Sequence, residues 1–247
     1  MTFWRALRAS YSDSIAFIIA CPLLALTPVV FELIQHVAEV HIGMYDSIAA
    51  AKAVEHHPLR MAMGLLKVAG LTMPAYWVTR FIAFRDPARA GRAEAPAVRL
   101  FAGFFAFQMV FAAAQLFAPI HSASGEIVLL VVGMVIGILF AAWGVAASLG
   151  NAKVGPLASA RIMERQIPWT FAFSLAAMMP LMIPHYLFAG LALMGPKPLL
   201  WPVLAVDSLL VGLLAVTLTA ANYHASIRAA ARAGVTLPPD GEPRVAA

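Results

Sequence analysis

The chain has 247 residues, 62% of them hydrophobic and 12% charged, with a mean hydropathy of +0.84. Soluble domains carry about 25% charged residues, so a soluble globular fold is excluded. The net charge of +5 comes from cations dispersed through short connections, with no basic stripe interleaved with aromatics, which excludes nucleic acid as a partner.

Six apolar segments, at 15–40, 59–84, 98–119, 126–149, 169–194 and 199–222, each reach the length of about 20 residues needed to cross the hydrocarbon core. The first follows Arg5 and Arg8 as a signal peptide would. Its apolar run from Ile15 to Ile34 is longer than a signal's core, so an uncleaved membrane helix is expected. Before it, TFWRALRAS (2–10) has the pattern of a short amphipathic helix, as does LASARIMERQI (157–167) before the fifth segment.

The cations alternate from side to side. All but four of the 17 Lys and Arg fall in 1–14, 80–99, 150–168 and 223–247; the exceptions are Lys52, Arg60, Lys67 and Lys197. The positive-inside rule then puts both termini in the cytoplasm. Trp4, Trp77, Trp169 and Trp201 lie near segment ends, as an interfacial belt requires, whereas Trp143 is deeper and should pack against another helix. Residues 1–236 form one transmembrane domain, and the Pro- and Gly-rich stretch 237–247 is expected to be a disordered cytoplasmic tail.

Gly133, Gly137, Ala141 and Gly144 line one face of the fourth helix, where small side chains let another helix approach closely. Pro22, Pro28, Pro74, Pro180 and Pro184 each remove a backbone donor, and kinks are expected there. The ionisable residues gather in the outer half. Lys67 and Asp207 have matched depths on the second and sixth helices and suggest an interhelical ion pair. Glu32, His36 and Glu39 share a helix face with Gln35 at its edge, and His185 on the fifth helix reaches a similar level. With no such group in the inner half, Glu32, His36, Lys67, His185 and Asp207 predict a polar cavity open to the outside.

Other chemistry is sparse. The single cysteine, Cys21, rules out an intrachain disulfide and a CxxC pair. Catalytic templates such as HExxH, GxSxG and the phosphate-binding loop are absent, so no enzyme is expected. Neither cofactor nor metal is expected. The nearest alternatives are haem held by His36 and His185, and a mixed His/carboxylate set adding Glu32 or Glu39, suited to zinc or iron.

TFWRALRAS at the start, ASARIMERQIPWTF at 158–171 and YHASIR at 223–228 resemble a family of bacterial six-helix inner-membrane proteins. That family includes the membrane domain fused to some glycerophosphodiester phosphodiesterases. The resemblance implies an amphipathic segment before the first helix, an outside loop after it and an accessory role, and it transfers no site residue. The polar cluster on the first helix is not part of the family's pattern.

The expected fold is therefore all-α, a polytopic bundle of six transmembrane helices in the bacterial cytoplasmic membrane, with short cytoplasmic amphipathic helices. The leading functional expectation is a non-catalytic accessory or assembly subunit that packs against lipid and a membrane-protein partner or a second copy of itself. A small transporter or channel is the alternative, and a haem-binding redox protein a further one.

Overall fold

The computed structural model describes residues 1–118, 120 and 122–238, and among them there is helix and no strand. The helices are α1 (Phe3–Ala20), α2 (Pro22–His41), α3 (Ile48–Ala53), α4 (Pro58–Thr72), α5 (Pro74–Phe84), α6 (Pro87–Gly91), α7 (Ala95–Leu116), α8 (Ala123–Ser148), α9 (Pro156–Met163), α10 (Ile167–Met194) and α11 (Leu200–Arg232). Six stretches are long and apolar enough to cross a membrane: Pro22–His41, Pro58–Phe84, Ala95–Leu116, Ser124–Ser148, Pro156–Met194 and Lys197–Arg232. The six-helix membrane bundle expected from hydropathy is the fold.

The helix ends differ from expectation in instructive ways. The first apolar segment is two helices rather than one, broken at Cys21, whose φ of −132° and ψ of 54° lie outside the helical basin. Pro22 explains the break, because its ring disfavours helical geometry in the residue before it. The amphipathic N-terminal segment is accordingly no separate element; it continues through residue 20 as α1. Pro74 marks the junction of α4 and α5, but Met73 before it keeps helical angles (φ −53°, ψ −42°), and Pro28, Pro180 and Pro184 lie inside unbroken helices. The second amphipathic stretch is α9, joined to α10 by one 3₁₀ turn at Glu164–Gln166.

The last helix runs ten residues past the predicted end at 222. Beyond it, Leu237 is buried, and Asn151 Nδ2 donates to its carbonyl at 2.9 Å. The predicted tail boundary is thus too early, and residues 239–247 lie outside the described residues.

Helix α11 is the spine, packed against α1, α2, α5, α8 and α10. Two glycines draw α2 between its neighbours. A Cβ at Gly70 of α4 would overlap the Phe31 side chain, and one at Gly212 of α11 would overlap Val29. Neither approach is possible with a larger residue, and together they set the spacing that the polar cluster needs.

The small-residue face of α8 does pack in part. Gly144 accommodates the Phe104 ring and Gly133 the Gln115 amide, both from α7, and Ala141 is buried. Gly137 meets nothing within 4 Å and lines a cavity instead. Trp143 packs as expected, its ring centroid 5.4 Å from Phe104 and 5.6 Å from Phe107. Of the predicted aromatic belt, Trp4 and Trp201 are exposed, whereas Trp169 stacks on Phe173 at 4.8 Å and Trp77 packs against the core.

Candidate functional site

Glu32, His36, Lys67, His185 and Asp207 lie five to nine residues from His41 of α2, Pro58 of α4, Met194 of α10 and Leu200 of α11. At 1.5 Å per residue this places them about 8–14 Å along the helix axes, within the apolar span. The close approaches at Gly70 and Gly212 bring the three helices α2, α4 and α11 near enough for these side chains to touch. All five belong to one network.

Lys67 Nζ donates to Glu32 Oε1 at 2.8 Å and forms an ion pair with Oε2 at 2.7 Å. Asp207 instead receives His185, with Nδ1 at 2.8 Å from Oδ1, and faces His36, whose Nε2 lies 3.4 Å from Oδ2. The Lys67–Asp207 pair expected from matched depth is therefore not formed. Depth fixed the level, but the nearest carboxylate to Lys67 is on α2, which packs directly against α4.

His36 is the centre. Its Nε2 sits between Glu32 Oε1 at 3.5 Å and Asp207 Oδ2 at 3.4 Å, while Nδ1 faces Glu39 Oε2 at 3.2 Å and the Tyr45 hydroxyl at 3.1 Å. Tyr45 donates to Glu39 Oε2 at 2.7 Å. Burial, together with the Glu39 carboxylate, drives the Tyr45 phenol above its usual range, so it keeps its proton for that bond. Glu39 is completed by Gln35 Nε2 at 2.9 Å and Arg60 Nε at 3.3 Å. From the loop before α11, Lys197 Nζ donates to the Tyr45 carbonyl, tying the outer turn to the bundle.

Three sequence expectations change here. The outward-facing cavity is absent at this cluster, because Glu32, His36 and Asp207 are buried and packed. A cavity of about 230 Å³ lies elsewhere, between α5, α7, α8, α10 and α11; its polar lining is Thr79, Gln108, Ser174, Thr219 and Asn222. Haem ligation by His36 and His185 does not fit either. Both imidazoles converge on the single carboxylate of Asp207, which leaves no slot for a macrocycle between them.

Nor is the opposite half of the bundle without ionisable groups. Asp13 of α1 accepts from Arg85 Nη1 at 2.6 Å and pairs with His224 Nε2 of α11 at 2.8 Å. Arg85 is the one non-glycine with positive φ (54°) among the described residues, and it ends α5. Burial pushes the Asp13 carboxyl up, but His224 and Arg85 together outweigh it and hold the carboxyl below its usual value. Nearby, Arg80 is fully buried, with Nη2 2.7 Å from Glu94 Oε1, and donates to the carbonyls of Arg89 and Ser148.

Sequence reasoning missed Tyr45, Arg60, Asp13, Arg85 and His224 as network members. Tyr45 and Arg60 lie in or beside the outer loop, where no helical period marks a residue as inward-facing. Asp13 was assigned to a terminal connection because the continuity of α1 was not visible. No family model matches the chain, and searches of curated proteins and of solved structures also return no match.

Proposed function

We propose that this protein is a small, non-enzymatic transporter of the bacterial cytoplasmic membrane, with both ends on the cytoplasmic side, and that its buried cluster is the site where the transported species is held. The observation that carries this reading is the convergence of ionisable groups from four separate helices about 8–14 Å inside the apolar span. A buried ion pair is a poor structural device, since apolar packing of the same volume is often as stable or more so. Ionisable residues at such depth usually mark ion or substrate pathways.

The helices that build the cluster also reach the cavity. Helix α10 brings His185 to Asp207 and Ser174 to the cavity wall, with Pro180 and Pro184 between them. Helix α11 does the same with Asp207 and with Thr219 and Asn222. Prolines in a membrane helix free carbonyls and mark points where one half can tilt against the other. Tilting the outer half of α10 would part His185 from Asp207 and open the cluster toward the cavity.

The test is flux through purified protein in liposomes, read with entrapped dyes for protons and for divalent cations. Wild type should conduct, and Asp207→Asn and Lys67→Met should each abolish most of the flux. Wild-type vesicles that match empty ones, or two variants that match wild type, refute the proposal. The accessory-subunit reading retains one specific observation: Gly103 on α7 meets nothing within 4 Å, a surface fit for close helix docking. A second chain co-purifying in fixed ratio would favour it.

A further inference from the structure

We propose that Glu32, His36 and Asp207 form a binding site for a divalent first-row transition-metal ion, with zinc as the best match. One atom from each residue lies within 4.8 Å of the others, and all three residues are buried. The proposal deepens the transport reading, on which it rests only for its biological purpose, by naming the class of ion held.

The distances are those of ligands rather than of hydrogen-bond partners. His36 Nε2 is 3.5 Å from Glu32 Oε1 and 3.4 Å from Asp207 Oδ2. A good N–H···O bond spans about 2.7–3.2 Å, and His36 Nε2 in fact has no hydrogen-bond partner although it is buried. By contrast, atoms bound at about 2.0–2.2 Å to a tetrahedral ion lie about 3.3–3.6 Å apart. The nitrogen therefore lies between two carboxylate oxygens at spacings that a tetrahedral ion would bridge.

The surroundings set the ring for this role. Nδ1 faces the Glu39 carboxylate and the Tyr45 hydroxyl, two acceptors for an Nδ1 proton, so the tautomer with a free Nε2 lone pair is available to a metal ion. Carboxylates behind metal-bound imidazoles act in this way. Around Asp207, His185 holds the second oxygen, Oδ1, and so orients Oδ2 toward His36. Around Glu32, Lys67 neutralises one carboxylate charge and holds Oε1 through one of that oxygen's two lone pairs, leaving the other for the ion.

The charge balance agrees. Glu32, Glu39 and Asp207 face Lys67 and Arg60, which leaves one negative charge to be balanced by a proton on His36 or by a bound cation in its place. Inside an apolar span this is costly, and a bound cation supplies the compensation. A mixed imidazole and carboxylate set suits zinc, iron or manganese better than calcium or magnesium, which prefer oxygen alone. Three protein ligands leave a fourth position open, which allows an ion to enter and leave.

The test uses the full chain purified without a histidine tag, stripped with chelator, then equilibrated with Zn²⁺ and separately with Mn²⁺. Mass spectrometry of the metal and titration calorimetry give stoichiometry and affinity. Wild type should hold one Zn²⁺ per chain beyond whatever Glu32→Gln holds. Asp207→Asn and Glu32→Gln should each weaken binding at least tenfold, and Co²⁺ loaded into wild type should show the visible bands of a tetrahedral site. Asp207→Asn keeps the shape of the side chain, so a native elution profile for it separates lost binding from lost folding.

Zinc uptake that is the same in wild type and in both carboxylate variants overturns the site, since the outer-loop histidines would then account for it. No uptake by wild type overturns it equally. The two proposals fail separately: a wild type that binds zinc without flux retains the site and removes the transport reading, and flux without zinc binding does the reverse.

Discussion

Removing the Lys67 side-chain charge is the sharpest test of how the cluster is held together. In Lys67→Met the Glu32 carboxylate, 1% exposed, loses an ammonium that now contacts both its oxygens at 2.8 and 2.7 Å. Breaking a buried pair from one side costs about 3–5 kcal/mol; the 21% exposure of the Lys67 side chain lowers this to about 2–3 kcal/mol. Glu32→Gln should cost less, about 1–2 kcal/mol, because the freed lysine can reach the interface along its own stem. The double variant should be destabilised by less than the sum, with a coupling of about 1 kcal/mol or more. Unfolding in mixed micelles of increasing SDS content, followed by tryptophan fluorescence in the presence of chelator, measures all three. Strict additivity, within about 0.5 kcal/mol, would show that the two charges do not sense each other and would refute the account of the cluster.

Two further outcomes follow from the opposite half of the bundle. Arg80 pins the segment 85–94 to the ends of α5 and α8, so Arg80→Met should release it and speed cleavage after Arg89 and Arg92 by trypsin added on the cytoplasmic face of inverted vesicles. Cleavage as slow as in wild type, or cleavage from the other face only, would contradict the anchoring or the orientation. The Asp13 carboxyl is held below its usual value in the fold, so the stability it contributes is fully present above its unfolded-state value of about 3.9 and is lost as pH falls below that. The thermal midpoint in detergent should fall on acidification toward pH 3, and Asp13→Asn should lower the neutral-pH midpoint and flatten the fall; an unchanged slope would remove Asp13 from the account.

The fold was legible because six long apolar segments leave little freedom: hydropathy sets their number, and each observed span overlaps its predicted segment. What hydropathy could not see was continuity. The averaged profile passes smoothly over Cys21, where a single backbone conformation imposed by Pro22 divides one segment into two helices. The five polar residues meet in one cluster, and counting residues along each helix axis was enough to suggest that they share a level. Partners were not legible, because pairing depends on which helices adjoin, and that adjacency is set by Gly70 and Gly212. Neither glycine belongs to a periodic motif. Asp13 and His224 show the same limit, since the 211 positions separating them contain no local signal of their contact.

The interruption at Cys21 divides the protein's internal fastenings into two groups. On one side of it, α1 is tied to the spine and to α10, through the Tyr11 hydroxyl on the Ala177 carbonyl and through Asp13 on His224. On the other side, α2 is tied to α4 through Glu32 and Lys67. A rigid rod from residue 3 to residue 41 would force both sets of ties to travel together. With the rod severed, the chain's opening forty residues act as a folding rule with one joint, each leaf laid against its own stretch of α11: α1 at His224, and α2 at Gly212 and Asp207.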